Sequence, residues 1–394
     1  MPKMTLEDID VTSKKILVRV DFNVPINDDG TISDDSRVQS CLPTIKYLME
    51  HHARIILCSH FGRPEGKVVE YLRLAPIAGR LSELLGKPVE ALRDCIGPEV
   101  KSAVDKLTNG DIILLENLRF HPEEEANDTN FAQTLAGLAD IYVNDAFGTS
   151  HRTHASVVGI AEFLPAVSGY LMDKELSFLS GALENPKRPF AAVVGGAKLS
   201  GKLGVLANII QKVDILIIGG GMAATFIKSQ GYGIGNSMFE SDKLDYVKKL
   251  IAEAESSKVR LLLPQDVVVT QKLVTGSDIL TVPVTEIPDA WLIADIGPNT
   301  IKVFSAELRN CRTVIWNGPM GVYEIPQSAK GTHSIARVLA EIESTTVIGG
   351  GSTAEVVIEM GLADKISHVS TGGGASLEFL EGKILPGIAV LHDK

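Results

Sequence analysis

The sequence has little that suits a membrane, an oxidising compartment or nucleic acid. No run of eighteen uncharged apolar residues occurs, so a membrane span is not expected. The opening residues MPKMTLEDIDV lack the apolar core of a secretory signal. Cysteine is scarce: Cys41, Cys58, Cys95 and Cys311 lie far apart with no CxxC pair. They read as reduced thiols in a cytoplasmic protein, with neither a zinc site nor a disulfide framework. Positive charge is also short, since 38 Lys and Arg against 49 Asp and Glu leave a net −11. That argues against a nucleic-acid partner. It leaves room for an anionic small molecule, because a few focused arginines can bind phosphate on an acidic protein.

What is present is a long alternation of strand and helix. At 394 residues the chain exceeds one ordinary core, so two or more domains are expected. Candidate strands in the first half are KILVRV (15–20), RIILCS (54–59), DIILLE (111–116) and DIYVND (140–145). Between them, residues 38–52 and 74–86 place apolar positions at helical spacing. The second half offers FAAVV (190–194), DILII (214–218), VRLLL (259–263), RTVIW (312–316) and TTVIG (345–349). Strands apolar at nearly every position, alternating with helices, indicate parallel sheet covered on both faces. The expected fold is α/β: two doubly wound, Rossmann-like parallel-sheet domains joined by a helix, with a central cleft. The first domain is expected over 1–170, a linker helix and hinge over 171–189, and the second domain over 190–379. A tail over 380–394 is expected to turn back toward the first domain.

Four glycine-rich turns punctuate the second half: AAVVGGAKLSGK (191–202), LIIGGGMAATF (216–226), VIGGGSTAEV (347–356) and VSTGGGASLEF (369–379). Glycine is costly inside regular structure, so triplets at strand ends need a reason. A dinucleotide fingerprint fits Gly219–Ala224 and Gly349–Ala354, but a dehydrogenase needs one such loop, not several. A P-loop fits Gly196–Lys202 only until Leu203, which stands where a metal-binding hydroxyl is required. The remaining functional reading is that backbone N–H groups and helix N-termini at the carboxyl ends of the strands enclose one polyphosphate, aided by Lys198 and Lys202. For Gly219–Gly221, followed by Met222 and Ala223, tight strand–helix packing is an equal explanation.

The first half carries arginine, histidine and carboxylate instead. RVDFNVP (19–25) sets Asp21 and Asn23 on the same side of an extended chain. SHFGRP (59–64) presents His60 and Arg63, LENLRF (115–120) offers Arg119, and FGTSHRTHAS (147–156) offers His151, Arg152 and His154. Arg37 follows a turn rich in Gly and Asp. Each arginine alone suggests a surface ion pair, and His154 reads equally well as a structural histidine. Together they suggest a site for a small, multiply anionic substrate, since guanidinium forks match phosphate and carboxylate geometry.

In their order and spacing, RVDFNVP, SHFGRP, LENLRF, NDAFGTSHRTHAS, GGAKLSGK, WNGPMGVYE and STGGGASLEF resemble the phosphoglycerate kinase family over essentially the whole chain. That resemblance implies reversible phosphoryl transfer between 1,3-bisphosphoglycerate and ADP, giving 3-phosphoglycerate and MgATP. It implies transfer in line, after domain closure, with Mg²⁺ bound alongside ADP or ATP; no heptad or other interface signature is present, so a monomer is expected. Asp21, Asn23, Arg37, His60, Arg63, Arg119 and Arg152 would hold the glycerate. Gly195, Gly196, Lys198, Lys202, Gly219, Asn317, Glu324, Gly350, Gly351, Ser352 and Thr353 would hold the nucleotide. Arg37, Lys198, Lys202 and Gly373 would serve the transfer itself. Two positions depart from the family's pattern: Ser352 stands where GGGD usually carries an acid that helps hold Mg²⁺, and Gly201 where Asp is common. The metal ligands are therefore left unassigned. A nicotinamide-dependent dehydrogenase and a non-enzymatic nucleotide-binding protein are the alternatives; the arginine and histidine set and both lysines would have no common purpose in a dehydrogenase, and turnover separates the kinase from the binding protein.

Overall fold

Runs of β-branched and aliphatic residues build two all-parallel sheets in the computed structural model, which describes residues 2–27 and 29–394. The chain divides into two compact units, Met1–Leu176 with Ile384–Lys394, and Ser177–Lys383. The first unit contains β1 (Lys15–Val20), β2 (Arg54–Cys58), β3 (Glu90–Ala91), β4 (Ile112–Leu114), β5 (Ile141–Asp145) and β6 (Ala166–Ser168). Their order is β3-β4-β2-β1-β5-β6. On β1, alternate residues Ile16, Val18 and Val20 enter a core with Ile45 and Leu48 of one helix and Ile77 and Leu81 of another. The opposite face carries Leu17 and Arg19, both buried. The single helix expected over 38–52 is two, Ser36–Ser40 and Leu42–Glu50. Pro43 explains the break, because it has no N–H to continue a helix and is well placed to begin one.

In the second unit, β7 (Phe190–Val194), β8 (Ile215–Ile218) and β9 (Arg260–Leu262) are followed by β10 (Asp266–Thr270), β11 (Ile279–Pro283) and β12 (Leu292–Ile296). β13 (Thr313–Asn317), β14 (Thr345–Gly349) and β15 (His368–Val369) complete it. The parallel sheet runs β15-β14-β13-β7-β8-β9. The fold class is therefore the one expected, with one addition. β10, β11 and β12 form a separate antiparallel sheet ordered β11-β10-β12, closed around Val267, Val269, Ile234 and Ile287. The helix Tyr170–Glu184 carries the chain from the first unit into the second and stops before Asn185 and Pro186. Among the described residues no helix is long and apolar enough to cross a membrane.

Candidate active site

In the first unit, the carboxyl ends of β1, β2, β4 and β5 deliver the predicted polar residues to one edge of the sheet. Asp21 follows β1 and accepts from Arg37 Nη1 at 2.9 Å through Oδ2 and from the Asn23 N–H at 3.2 Å through Oδ1. Asn23 in turn accepts from the Gly62 N–H at 2.9 Å, tying the β1 turn to the β2 turn. Arg119 donates to the Gly62 carbonyl at 2.7 Å. Its Nε lies 3.0 Å from Glu125 Oε1 but out of line for a hydrogen bond, so part of this buried guanidinium is still unpaired.

His60 is buried, and burial together with Arg19, Arg119, Arg152 and Arg37 holds its pKa well below the usual histidine value. Four guanidinium charges thus act on one imidazole. Arg19 Nη2 lies 3.3 Å from His60 Nδ1. Arginine can only donate, so Nδ1 accepts and the single ring proton sits on Nε2. Arg63 is exposed on the same turn. His154 is buried with Nδ1 3.8 Å from Glu124 Oε1, and burial followed by Arg119 and Arg19 pushes its pKa down to about 4.

The second unit interlocks its glycine loops backbone against backbone. A Cβ on Gly195 or Gly318 would overlap the other's carbonyl oxygen, and one on Gly220 would sit 2.5 Å from the Gly196 nitrogen. A Cβ on Gly219 would strike the Met320 sulfur, and one on Gly221 would be 2.9 Å from the Ala197 carbonyl. For Gly219–Gly221 the packing reading is thus realised. Gly351 and Gly373 differ, because nothing lies within 4 Å of the space a Cβ would fill.

Gly350, at φ 92°, turns the chain into the helix Gly351–Glu359. The first intrahelical bond there is Ala354 N–H to the Gly350 carbonyl, leaving the N–H groups of the first turn for an anion. Thr353 is committed elsewhere, its buried hydroxyl accepting from the Gly318 N–H at 2.8 Å. Ser352 is exposed, and its hydroxyl contacts that of Tyr323, which also donates to Glu355 at 3.1 Å. Lys202 donates to Asn317 Oδ1, while Asn317 Nδ2 is buried with no partner. Burial pushes the Lys202 pKa down to about 8, against a smaller raising effect from Glu381. Lys198 and Glu324 are exposed.

The sequence profile of the family described as phosphoglycerate kinase matches residues 6–383. The phosphoglycerate kinases of Pelotomaculum thermopropionicum and Moorella thermoacetica are 57% and 52% identical, each over the full length of both chains. The chain belongs to the phosphoglycerate kinase family. It is thereby a kinase of glycolysis. A solved phosphoglycerate kinase from Coxiella burnetii superposes with a TM-score of 0.90 at 40% identity, covering 99% of this chain and 98% of that one. The enzyme from Pyrococcus horikoshii gives 0.85 at 32% identity, with the same coverage.

Three features of this phosphoglycerate kinase chain escaped the sequence reading. Arg19 is 1% exposed and donates through Nε to Ser156 Oγ at 2.9 Å, and that hydroxyl donates to Glu124 Oε1 at 2.6 Å. A buried ion-bearing chain therefore stands behind His60. An arginine inside an otherwise apolar strand was the available signal. The second feature is a small pocket, with a volume of about 30 Å³, lined by Gly220, Gly221, Ala223, Pro264, Ile293, Ala294, Met320 and Val322. Such small apolar residues have no chemical signature in sequence. The third is Asp295, which accepts from the Gly331 N–H at 2.6 Å at the cavity wall, its pKa pushed up to about 7 by burial.

Proposed function

We propose that this chain reversibly transfers a phosphoryl group between 1,3-bisphosphoglycerate and ADP, giving 3-phosphoglycerate and MgATP. The observation that carries the assignment is the division of chemistry between two sets of strand ends. One set gathers Arg19, Arg37, Arg119 and Arg152 around His60. The other combines glycine turns, Lys202 and the free first turn of Gly351–Glu359. The first suits a small acid bearing phosphate and carboxylate, the second a nucleotide.

In this reading Asp21, Asn23, Arg37, His60, Arg63, Arg119 and Arg152 bind the glycerate. Arg37 exchanges part of its pairing with Asp21 for the substrate. His60, neutral, donates from Nε2 and adds direction without charge. The base lies against the Gly219–Gly221 turn, Glu324 meets the ribose hydroxyls, and the phosphates meet Gly195, Gly196, Lys198, Lys202 and the Gly350–Thr353 turn. Thr353 acts there through its N–H, since its hydroxyl accepts from Gly318. The orphaned Nδ2 of Asn317 is a further donor for a phosphate oxygen.

Transfer follows closure of the two units on bound substrates, which excludes water. The acceptor is a carboxylate already ionised at neutral pH, so no general base is needed. Arg37 and Lys198 neutralise charge spreading onto the equatorial oxygens, with the Gly373 turn beside them. Mg²⁺ arrives with the nucleotide and offsets phosphate charge. The oxygens near the helix start fit such a hard cation: Ser352 Oγ is exposed there, and Mg²⁺ keeps water and phosphate as most of its ligands. Ser352 would offer such an ion a neutral oxygen, leaving substrate and water to supply most of its ligands. The protein acts as a cytoplasmic monomer. A coupled assay following NADH loss through ATP-dependent formation of 1,3-bisphosphoglycerate tests the assignment. Absence of turnover with 3-phosphoglycerate and MgATP would refute it.

A further inference from the structure

The sequence holds no run of metal ligands, yet the fold of the first unit assembles one. Asp94 and Cys95 lie just before the helix Pro98–Asp105, and His121 follows the short turn Leu118–Phe120. One donor atom from each lies within 4.8 Å of the other two, the one such group of three His, Cys or acidic side chains found among the described residues. His121 Nε2 is 2.7 Å from Asp94 Oδ1. The imidazole is braced on Phe131 with ring centroids 5.5 Å apart. Cys95 is fully buried, Asp94 is exposed and His121 is partly exposed, so the group runs from the interior to the surface. Burial first, and then the negative charge of Asp94 and Glu124, holds the metal-free Cys95 thiol well above the usual thiol pKa.

We propose that Asp94, Cys95 and His121 form a three-ligand site for a zinc-class divalent cation, distinct from the Mg²⁺ that accompanies the nucleotide. One thiolate, one imidazole and one carboxylate make a donor set that borderline-soft zinc accepts, with water completing a tetrahedron. Magnesium does not suit it, since that ion asks for oxygen ligands in octahedral array. With zinc bonds of about 2.0–2.3 Å, tetrahedral donors lie roughly 3.3–3.6 Å apart, so the Asp94–His121 pair, now 2.7 Å apart, opens by about 0.6 Å and Cys95 closes in by up to roughly 1.3 Å. On binding, the Cys95 thiol releases its proton to solvent, and the His121 ring proton moves from Nε2 to Nδ1. The cation takes the place of the hydrogen between His121 and Asp94. The bound ion ties the segment before Pro98–Asp105 to the turn that carries Arg119, two residues from His121.

Cobalt(II) is the probe, titrated into the nucleotide-free full-length protein in a non-thiol reductant. One equivalent is expected to produce a near-ultraviolet sulfur-to-cobalt charge-transfer band with tetrahedral visible transitions, and zinc is expected to bleach both. Cys95→Ser should lose the near-ultraviolet band, and His121→Gln should weaken cobalt binding about tenfold or more. His121→Gln is at a part-exposed position, so it keeps the test informative if Cys95→Ser misfolds. No charge-transfer band in the intact protein, or one undiminished in either variant, overturns the proposal.

Discussion

Raising the pH from about 7 to about 9 should weaken ADP binding through a single side chain, Lys202. Its ammonium is largely buried, and its hydrogen-bond acceptor, Asn317 Oδ1, is neutral. Burial holds its pKa at about 8, so the charged form prevails below that pH and the neutral amine above it. A nucleotide phosphate binds the charged form and restores a pKa near or above the ordinary lysine value. Between the two pH values the charged fraction in the free protein falls from roughly 0.9 to roughly 0.1, an affinity loss of about tenfold or about 1.4 kcal/mol. The sign is fixed: affinity falls as pH rises, and at about pH 9 each ADP bound takes up close to one proton. ADP is itself fully ionised in that window, since a terminal phosphate titrates near about 6. Calorimetry in two buffers of different ionisation enthalpy, without Mg²⁺, counts the protons directly. Lys202→Met should bind more weakly and lose the pH dependence. A flat ADP affinity in the intact protein would refute this reasoning, as would an unchanged slope in Lys202→Met.

The remaining expectations separate the two half-sites. Lys198→Ala should lower kcat by roughly 10²–10³ with little change in 3-phosphoglycerate binding, as expected on losing one electrostatic donor. Arg63→Ala should chiefly raise the KM for 3-phosphoglycerate; equal losses of glycerate affinity in both variants, with turnover intact, would show that the division of roles is wrong. Ser352→Asp should tighten the apparent Mg²⁺ requirement at fixed ATP, and an unchanged requirement would mean that the loop acts through its backbone alone. Nitrogen-15 NMR of His60 should show one neutral tautomer, protonated at Nε2, throughout the range where an ordinary histidine titrates. A second ring proton appearing in that range would remove the basis for Arg19 as its orienting partner.

The sequence reading reached furthest where period and chemistry coincide. β1, β7 and β14 begin and end where their apolar runs do, because central parallel strands must be apolar on both faces. The arginines and Asp21 were legible because charge directly after a buried strand is costly without a task. Less was visible in the antiparallel sheet: β11 is mostly exposed, so burial left little pattern in its sequence. The pocket escaped because it is made of absences, glycines and alanines that leave space. Arg19 sits inside the RVDFNVP motif, and its register on β1 beside Cys58 and Asn144 puts it in the middle of the sheet, where only the fold reveals its neighbours. Glycine loops could be found by eye, but their two uses could not be told apart. Only atomic distances separate Gly220, wedged against Gly196, from Gly351, facing open space.

The first unit includes the last eleven residues, Ile384–Lys394, and their place in it is specific. Asn144 Nδ2 donates to the Gly387 carbonyl at 3.0 Å, the Gly387 N–H to Ser150 at 2.8 Å, and the His392 N–H to Ala166 at 2.9 Å. The Met4 N–H donates to the His392 carbonyl at 2.8 Å. During synthesis on the ribosome, the half made first must therefore wait, with β5 and β6 missing these partners, until residues 384–394 have emerged. The second unit, contiguous from Ser177 to Lys383, faces no such delay. An order of maturation opposite to the order of translation follows, and pulse-labelled nascent chains should acquire protease resistance in the second unit before the first is complete.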